Sequence, residues 1–246
     1  MQPDPEVQSA AEPSRKEVWR MFDRIAWRYD LLNRMLSLGA DVRWRKRMAR
    51  HLPPGRDLKV LDLATGTADQ ILMLAHASDR VGASEGMDLS EGMLEIGRRK
   101  VKEQGMSHLV TLRTGDATAI PAADNTCDVV TISFGIRNVE NVPRALSEML
   151  RVLKPGGRAL ILEGSLPANT FLRKLYLLYF RHVLPRVGAW VSGDGGAYAY
   201  LNRTVETFPC GEAFCELMRT AGFRDVSFDP RTFGVATIYR GDKPAP

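Results

Sequence analysis

A chain of 246 residues with 44% hydrophobic and 26% charged residues has the make-up of a globular protein, and its length suits one well-cored domain. No apolar run approaches the ~20 residues that cross a bilayer; the richest, Phe171 to Leu184, is broken by Arg173, Lys174, Arg181 and His182. The net charge of +5 is uneven, with twelve Lys/Arg against four Asp/Glu from Arg15 to Arg56, which suits an anionic surface or ligand, or simply a solvated helix face.

In chain order, residues 1–14 (MQPDPEVQSAAEPS) carry proline and acid where a secretory leader has a basic start and an apolar core, so they read as a disordered tail and export is not expected. Val18, Phe22, Ile25, Tyr29 and Leu32 recur at helical spacing, and VRWRKRMARHL predicts a second, basic helix ending at Pro53-Pro54-Gly55. KVLDLATG then predicts a strand and a glycine turn, DQILMLAHA a helix that Asp69 is placed to cap, and a weak strand ends at Met87-Asp88. SEGMLEIGRRKVKEQG reads as a helix capped by Ser90, and HLVTLRTGDA and CDVVTIS as strands. VPRALSEMLRVLK is a helix to be closed by Pro155-Gly156-Gly157, and RALILEGS a fifth strand. ANTFLRKLYLLYFRHVL and GEAFCELMRTAG are further helices, and RDVSFDP with FGVATIYRG predicts a terminal antiparallel pair.

The β-α-β-α alternation argues for an α/β fold, a parallel sheet with helices on both faces. One domain is expected over residues 15–246, with an N-terminal helical lid at 15–56 and a helical insertion at 168–206. Cys127, Cys210 and Cys215 form no CxxC pair and lack histidine at ligand spacing, so neither a disulfide framework nor a metal site is expected, and the cytoplasm is the compartment that fits.

In such sheets ligands collect beyond the carboxyl ends of the strands. Asp62, Gly66 and Thr67 lie at the first strand exit, Asp88 at the second, where a carboxylate can accept ribose hydroxyls, and Asp116 with Ala117 after the third. A nicotinamide enzyme more often shows a full GxGxxG; TGTADQ, with no pyrophosphate to cradle, fits S-adenosylmethionine better. By itself Gly66 is equally explained as a tight turn.

Several blocks resemble the ubiquinone/menaquinone biosynthesis C-methyltransferase family of class I methyltransferases. They are MFDRIAWRYDLLNRMLSLGADVRWR, VLDLATGTAD, GMDLSEGML, ISFGIRNV, ALSEMLRVLKPGGRALILEGS, YLNRTVETFP, AGF and YRG, in family order from about residue 21 to 241. KPGG and the glycine loop are common to many methyltransferases; YDLLNRMLSLG and SFGIRNV are far more specific. The resemblance implies a Rossmann-like seven-stranded sheet, S-adenosyl-L-methionine as cofactor, and methylation of a prenylated quinol ring carbon. It further implies that Thr67, Asp88, Asp116, Ala117 and Ser133 contact the cofactor. Two departures from the family pattern are Ala68, where the loop has glycine, and Phe233, where the ending has a glycine pair.

Ring C-methylation needs a phenolate, so the acceptor is expected to be a quinol, with the protein aligning the partners and stabilising the developing charge, and no metal required. SFGIRNV is expected to form the rim of that pocket: Ser133 toward the cofactor, Phe134 beside a ring, Gly135 for close approach, Arg137 with Asn138 on the quinol oxygens. Arg137 stays protonated and suits charge stabilisation; Tyr29 and Asp30 of the lid are candidate partners, Asp30 as proton acceptor. The bland alternatives are an Arg137–Asp30 ion pair and a core role for Tyr29. For Phe171, Leu175, Leu178 and Tyr179 plain core is the first expectation and an isoprenoid entrance the second.

Demethylmenaquinol is the favoured acceptor. The alternatives are the benzoquinol of ubiquinone biosynthesis, or another small molecule. The expected partners are the prenylated quinol and, through the basic and apolar helices, peripheral contact with the inner membrane face. No nucleic-acid partner is expected, because aromatic-basic RNA motifs are missing. A homo-oligomer is left open.

Overall fold

The computed structural model describes residues 18–183 and 204–245; the tail expected at 1–14 and much of the expected helical insertion lie outside these. Its seven strands form one sheet in the order β3-β2-β1-β4-β5-β7-β6. β1 (Leu58–Leu63), β2 (Val81–Asp88), β3 (Val110–Thr114), β4 (Cys127–Ser133) and β5 (Leu153–Gly164) are parallel. β7 (Ala236–Asp242) runs antiparallel between β5 and β6 (Arg224–Arg231), as the two C-terminal apolar runs predict.

Side chains alternate across this sheet with the period of two that extended chains impose. Val60, Val129, Leu160, Leu162 and Ile238 pack on one face with Trp44, Met48 and Leu74. Leu61, Val130, Ile132, Ile161 and Tyr239 pack on the other with Leu146, Met149, Phe214 and Met218. The first set meets α2 (Ala40–Met48) and α3 (Asp69–Ala77); the second meets α5 (Val142–Val152) and the helix Glu212–Thr220, which follows α6 (Thr170–Leu178). α1 (Val18–Leu36) packs on α4 (Glu91–Glu103), the crossover helix from β2 to β3, whose N-terminus Ser90 caps by accepting from the Met93 amide at 3.2 Å.

β3 joins β4 without a helix, through a turn in which Asp116 accepts from the Thr118 amide at 2.8 Å and bridges to Ala119. Two local expectations are corrected. Lys154-Pro155-Gly156-Gly157 does not end α5 but opens β5, because Gly156 donates to Lys243 (3.0 Å) and Gly157 accepts from it (2.8 Å), pairing the stretch with the chain beyond β7. Asp69 does not cap α3; the cap is Ala68 in a left-handed conformation (φ 67°), and the Asp69 carboxylate turns to Lys100 and Arg34 instead.

The strand order reverses between β1 and β4, one branch running to β2 and β3 and the other to β5. The crevice outside those two strand ends is where this architecture binds ligands.

Candidate active site

A cavity of about 350 Å³ opens at that reversal. It is lined from the sheet rim by Gly66, Asp88, Asp116, Ala117, Ser133 and Asn138, and from α1 by Val18, Trp19, Phe22 and Tyr29. The volume lies within the range of small-ligand sites, and the mix of apolar walls with a few convergent polar groups is typical of them. Asp88 is shaped by the turn after β2: its two oxygens accept from the Gly66 amide (2.8 Å) and the Ser90 amide (2.9 Å). Burial raises its carboxyl above the ordinary range despite those amides. Each oxygen keeps a lone pair for a hydroxyl donor. Among the sequence-predicted residues, Gly66, Asp88, Asp116, Ala117, Ser133, Tyr29 and Asn138 all reach this one cavity.

Asp62 and Thr67 line a narrow polar recess with Arg45, Asp69 and Gln70. Parallel register sets Asp62 of β1 opposite Thr131 of β4, and Asp62 accepts from the hydroxyls of Thr131 (2.5 Å) and Thr65 (2.6 Å). Desolvation outweighs these bonds and pushes its carboxyl up to about 6.

Asp30 stands in a network between α1 and the β1 exit loop, and Arg137 is not among its partners in that network. It accepts from Thr67 Oγ1 at 2.6 Å and from Lys100 Nζ at 2.8 Å, while Lys100 also reaches Asp69. Arg34 joins Asp69 to Asp41, and Asp23 accepts from Ser90 Oγ (2.6 Å) and the Gly92 amide (2.9 Å) at the start of α4. One face of α1 is thereby fastened by carboxylates and one guanidinium to the loop and helix that surround the cavity.

SFGIRNV separates two cavities. Phe134 adopts a left-handed backbone (φ 58°), rare for an aromatic residue and costing about 1–3 kcal/mol, and its amide is held by Leu162 O at 2.7 Å. A Cβ on Gly135 would lie 2.5 Å from that of Ala64, so only glycine lets the β4 exit press against the β1 exit. Phe134 lines the large cavity and also a second one of about 100 Å³, whose walls include Trp44, Tyr176, Tyr179 and Arg137.

Arg137 and Asn138, expected to act together, therefore face different cavities: Arg137 the aromatic one, Asn138 the large one. Arg137 is ion-paired, with Glu163 and not with Asp30; both are buried, and Glu163 also accepts from the Gly164 amide at 2.7 Å. Arg137 Nε stays buried and without a hydrogen-bond partner among the described residues. The expected core stripe on α6 is corrected as well: Phe171, Leu175 and Leu178 are exposed, because α6 packs through Tyr176 and its continuation Phe180, which stack at 5.1 Å.

Sequence reasoning passed over Glu163, Trp44, Lys100 and Arg45. Glu163 was within reach of the strand-end rule that found Asp62 and Asp88, since it ends the β5 run ALILEG. The other three sit on helices whose facing partners periodicity does not reveal.

The ubiE/COQ5 methyltransferase family profile matches residues 9–243. The chain is 48% identical over 223 residues to the ubiquinone/menaquinone biosynthesis C-methyltransferase UbiE of Geobacter sulfurreducens, covering 91% of this chain and 87% of the relative. It is 46% identical to the demethylmenaquinone methyltransferase of Thermus thermophilus, covering 91% and 100%. Its fold is similar to that of a crystallised SAM-dependent methyltransferase from Thermotoga maritima (TM-score 0.62, 21% identity, 92% of this chain and 99% of that one). The residues present fit S-adenosylmethionine: a carboxylate at the β2 end for a ribose, and a recess carrying both charges for an amino acid. The chain belongs to the ubiE/COQ5 methyltransferase family and is an S-adenosylmethionine-dependent methyltransferase.

Proposed function

We propose that this protein methylates a ring carbon of a prenylated quinol, demethylmenaquinol being the favoured acceptor. The observation that carries the reading is the second cavity: an aromatic enclosure beside the cofactor cavity, sharing the Phe134 wall, with Arg137 on its lining and a buried Nε–H to donate. The names of the two relatives above supply the substrate class, and the Geobacter name keeps the benzoquinol of ubiquinone biosynthesis as the second reading.

S-adenosylmethionine, when bound, supplies a methyl group already activated by its sulfonium charge. Asp88 takes the ribose, Asp116 and Ala117 flank the adenine, and Gly66, Thr67, Asp62 and Ser133 line the remainder. Phe134, Trp44 and Tyr176 stack around the quinol ring and exclude water. The quinol hydroxyl gives up its proton, and Arg137 stabilises the resulting oxyanion by charge and hydrogen bond. Held by those aromatic walls, the ring carbon beside that oxygen would face the methyl that the bound cofactor would supply, and loss of that carbon's own proton in exchange would restore the aromatic ring. Glu163 holds Arg137 in place and compensates its charge. Asp30, tied to Lys100 and Thr67, acts here as a lid fastener, so the proton-acceptor role falls to another group or to water.

The prenyl tail leaves along α6. Leu38 and Phe233 are 85% and 80% exposed, and Phe171, Leu175 and Leu178 of α6 are exposed as well, with exposed Arg173 and Lys174 on the same helix. No helix among the described residues is long and apolar enough to cross a membrane. This apolar surface rimmed by cations suits shallow contact with an anionic leaflet, where a prenylated quinol resides.

The test is incubation with S-adenosylmethionine and chemically reduced demethylmenaquinol or the benzoquinol, followed by product mass. Gain of one methyl on the naphthoquinol supports the main reading; gain on the benzoquinol alone selects the second.

A further inference from the structure

The second cavity has polar walls at the junction of α1 and α2 that the reading above leaves unused. Ser37, in the turn between the two helices, and Asp41, in the first turn of α2, line it together with Asn33, Arg137, Tyr176 and Tyr179. Asp41 is 2% exposed and ion-paired with Arg34, so its carboxylate accepts hydrogen bonds and gives none. The single hydrogen of Ser37 Oγ has two acceptors in reach, Asp41 Oδ1 at 2.8 Å and Arg34 O at 3.5 Å. The short bond to a charged carboxylate is the stronger and takes it. Ser37 Oγ also accepts from the Asp41 amide at 3.3 Å, which leaves it one lone pair. Toward the cavity this hydroxyl is therefore an acceptor alone.

The remaining polar walls do not make that choice. Asn33 and the two phenols can donate or accept, Trp44 directs its indole N–H to Thr232 Oγ1 at 2.8 Å, and Arg137 only donates. A cavity that combines a fixed donor with a fixed acceptor distinguishes the two redox forms of a ring bearing two oxygens. A quinol ionised at one oxygen offers an oxyanion to Arg137 and keeps one hydroxyl to donate. A quinone offers two carbonyl oxygens and leaves Ser37 desolvated against a lone pair. We propose that Ser37, its hydroxyl oriented by Asp41, accepts the hydrogen bond of the second hydroxyl of the methyl acceptor and so selects the reduced ring at the binding step.

The proposal rests on the acceptor reading of that cavity, and its test separates the two. A short-tailed prenyl naphthoquinone, oxidised or chemically reduced, is titrated anaerobically into the protein with S-adenosylhomocysteine present. The wild type is expected to bind the reduced form more tightly, and Ser37→Ala to weaken the reduced form roughly 10-fold while changing the oxidised form by less than about twofold. Asp41→Asn, whose amide can donate to Ser37 and free its hydrogen for the cavity, narrows the preference from the other side by tightening the oxidised form. Equal weakening of both forms by Ser37→Ala, or of neither, overturns the proposal, as does wild-type protein that binds the two forms alike. Wild-type protein that binds neither form refutes the acceptor cavity and the proposal with it.

Discussion

Arg137, in the turn after β4, and Glu163, at the end of neighbouring β5, form a buried ion pair through Nη1, and the guanidinium Nε is buried with no partner among the described residues. The pair makes Arg137 rigid and the site nearly neutral before the acceptor ionises. Removing one partner strands a buried charge at a cost of about 3–5 kcal/mol. Arg137→Ala and Glu163→Ala are each expected to lower stability by that order in urea denaturation. The Arg137→Met/Glu163→Leu double variant loses clearly less than the two costs combined. Additive losses would show that the two side chains do not act as a unit.

Asp62 gives a pH signature. Its folded-state carboxyl, pushed up to about 6 by burial, exceeds the unfolded value of 3.8, so the folded protein binds the extra proton. This contribution favours the fold at the acid end of the window and is lost as pH rises from about 4 to 6, worth at most about 3 kcal/mol. Asp62→Asn is expected to flatten that part of the stability profile. An ammonium beside Asp62 favours the ionised form, so affinity for S-adenosylhomocysteine falls as pH drops below about 6 in the wild type and changes little in Asp62→Asn.

The Asp30–Lys100–Thr67 contacts fasten α1 over the cofactor loop. Asp30→Asn weakens a partly exposed charge-assisted set, so S-adenosylhomocysteine should leave roughly tenfold faster in stopped-flow displacement, with the adenine and ribose contacts intact. An unchanged off-rate would mean that α1 is not what retains the ligand.

Ala68 occupies a left-handed position (φ 67°) where the family pattern has glycine. Relief of that strain against the extra chain entropy of glycine predicts that Ala68→Gly raises stability by about 1 kcal/mol or less. A loss of stability would show that the buried methyl matters more than the backbone.

The exposed stripe of α6 predicts membrane contact. Replacing Leu175 and Leu178 with serine should reduce co-sedimentation with anionic vesicles at low salt and raise the KM for a long-tailed quinol, but not for a tail-less one. Wild-type protein that stays in the supernatant removes this part of the account.

The sheet and its rim were legible because both follow periodic rules. Alternation of apolar runs fixed the strands, and the strand-end rule brought Asp62, Gly66, Asp88 and Asp116 to one crevice. What pairs across helices was not legible. The partner of Arg137 could be guessed only from chain proximity to the lid, whereas β4–β5 adjacency decides for Glu163. The Phe171–Leu178 stripe looked like core because periodicity shows that a face is apolar and says nothing of what covers it. Arg45 was hidden in a basic run where five cations look alike and one, Arg45, is buried.

The most direct test is a single turnover with ¹³C-methyl-labelled S-adenosylmethionine and demethylmenaquinone in reduced and oxidised forms, read by NMR of the product, with Arg137→Lys beside the wild type. The account predicts a ring-carbon methyl from the reduced form alone, formed at least about 100-fold more slowly by the variant while cofactor affinity holds. An oxygen-bound methyl, or equal transfer to the oxidised form, would contradict it.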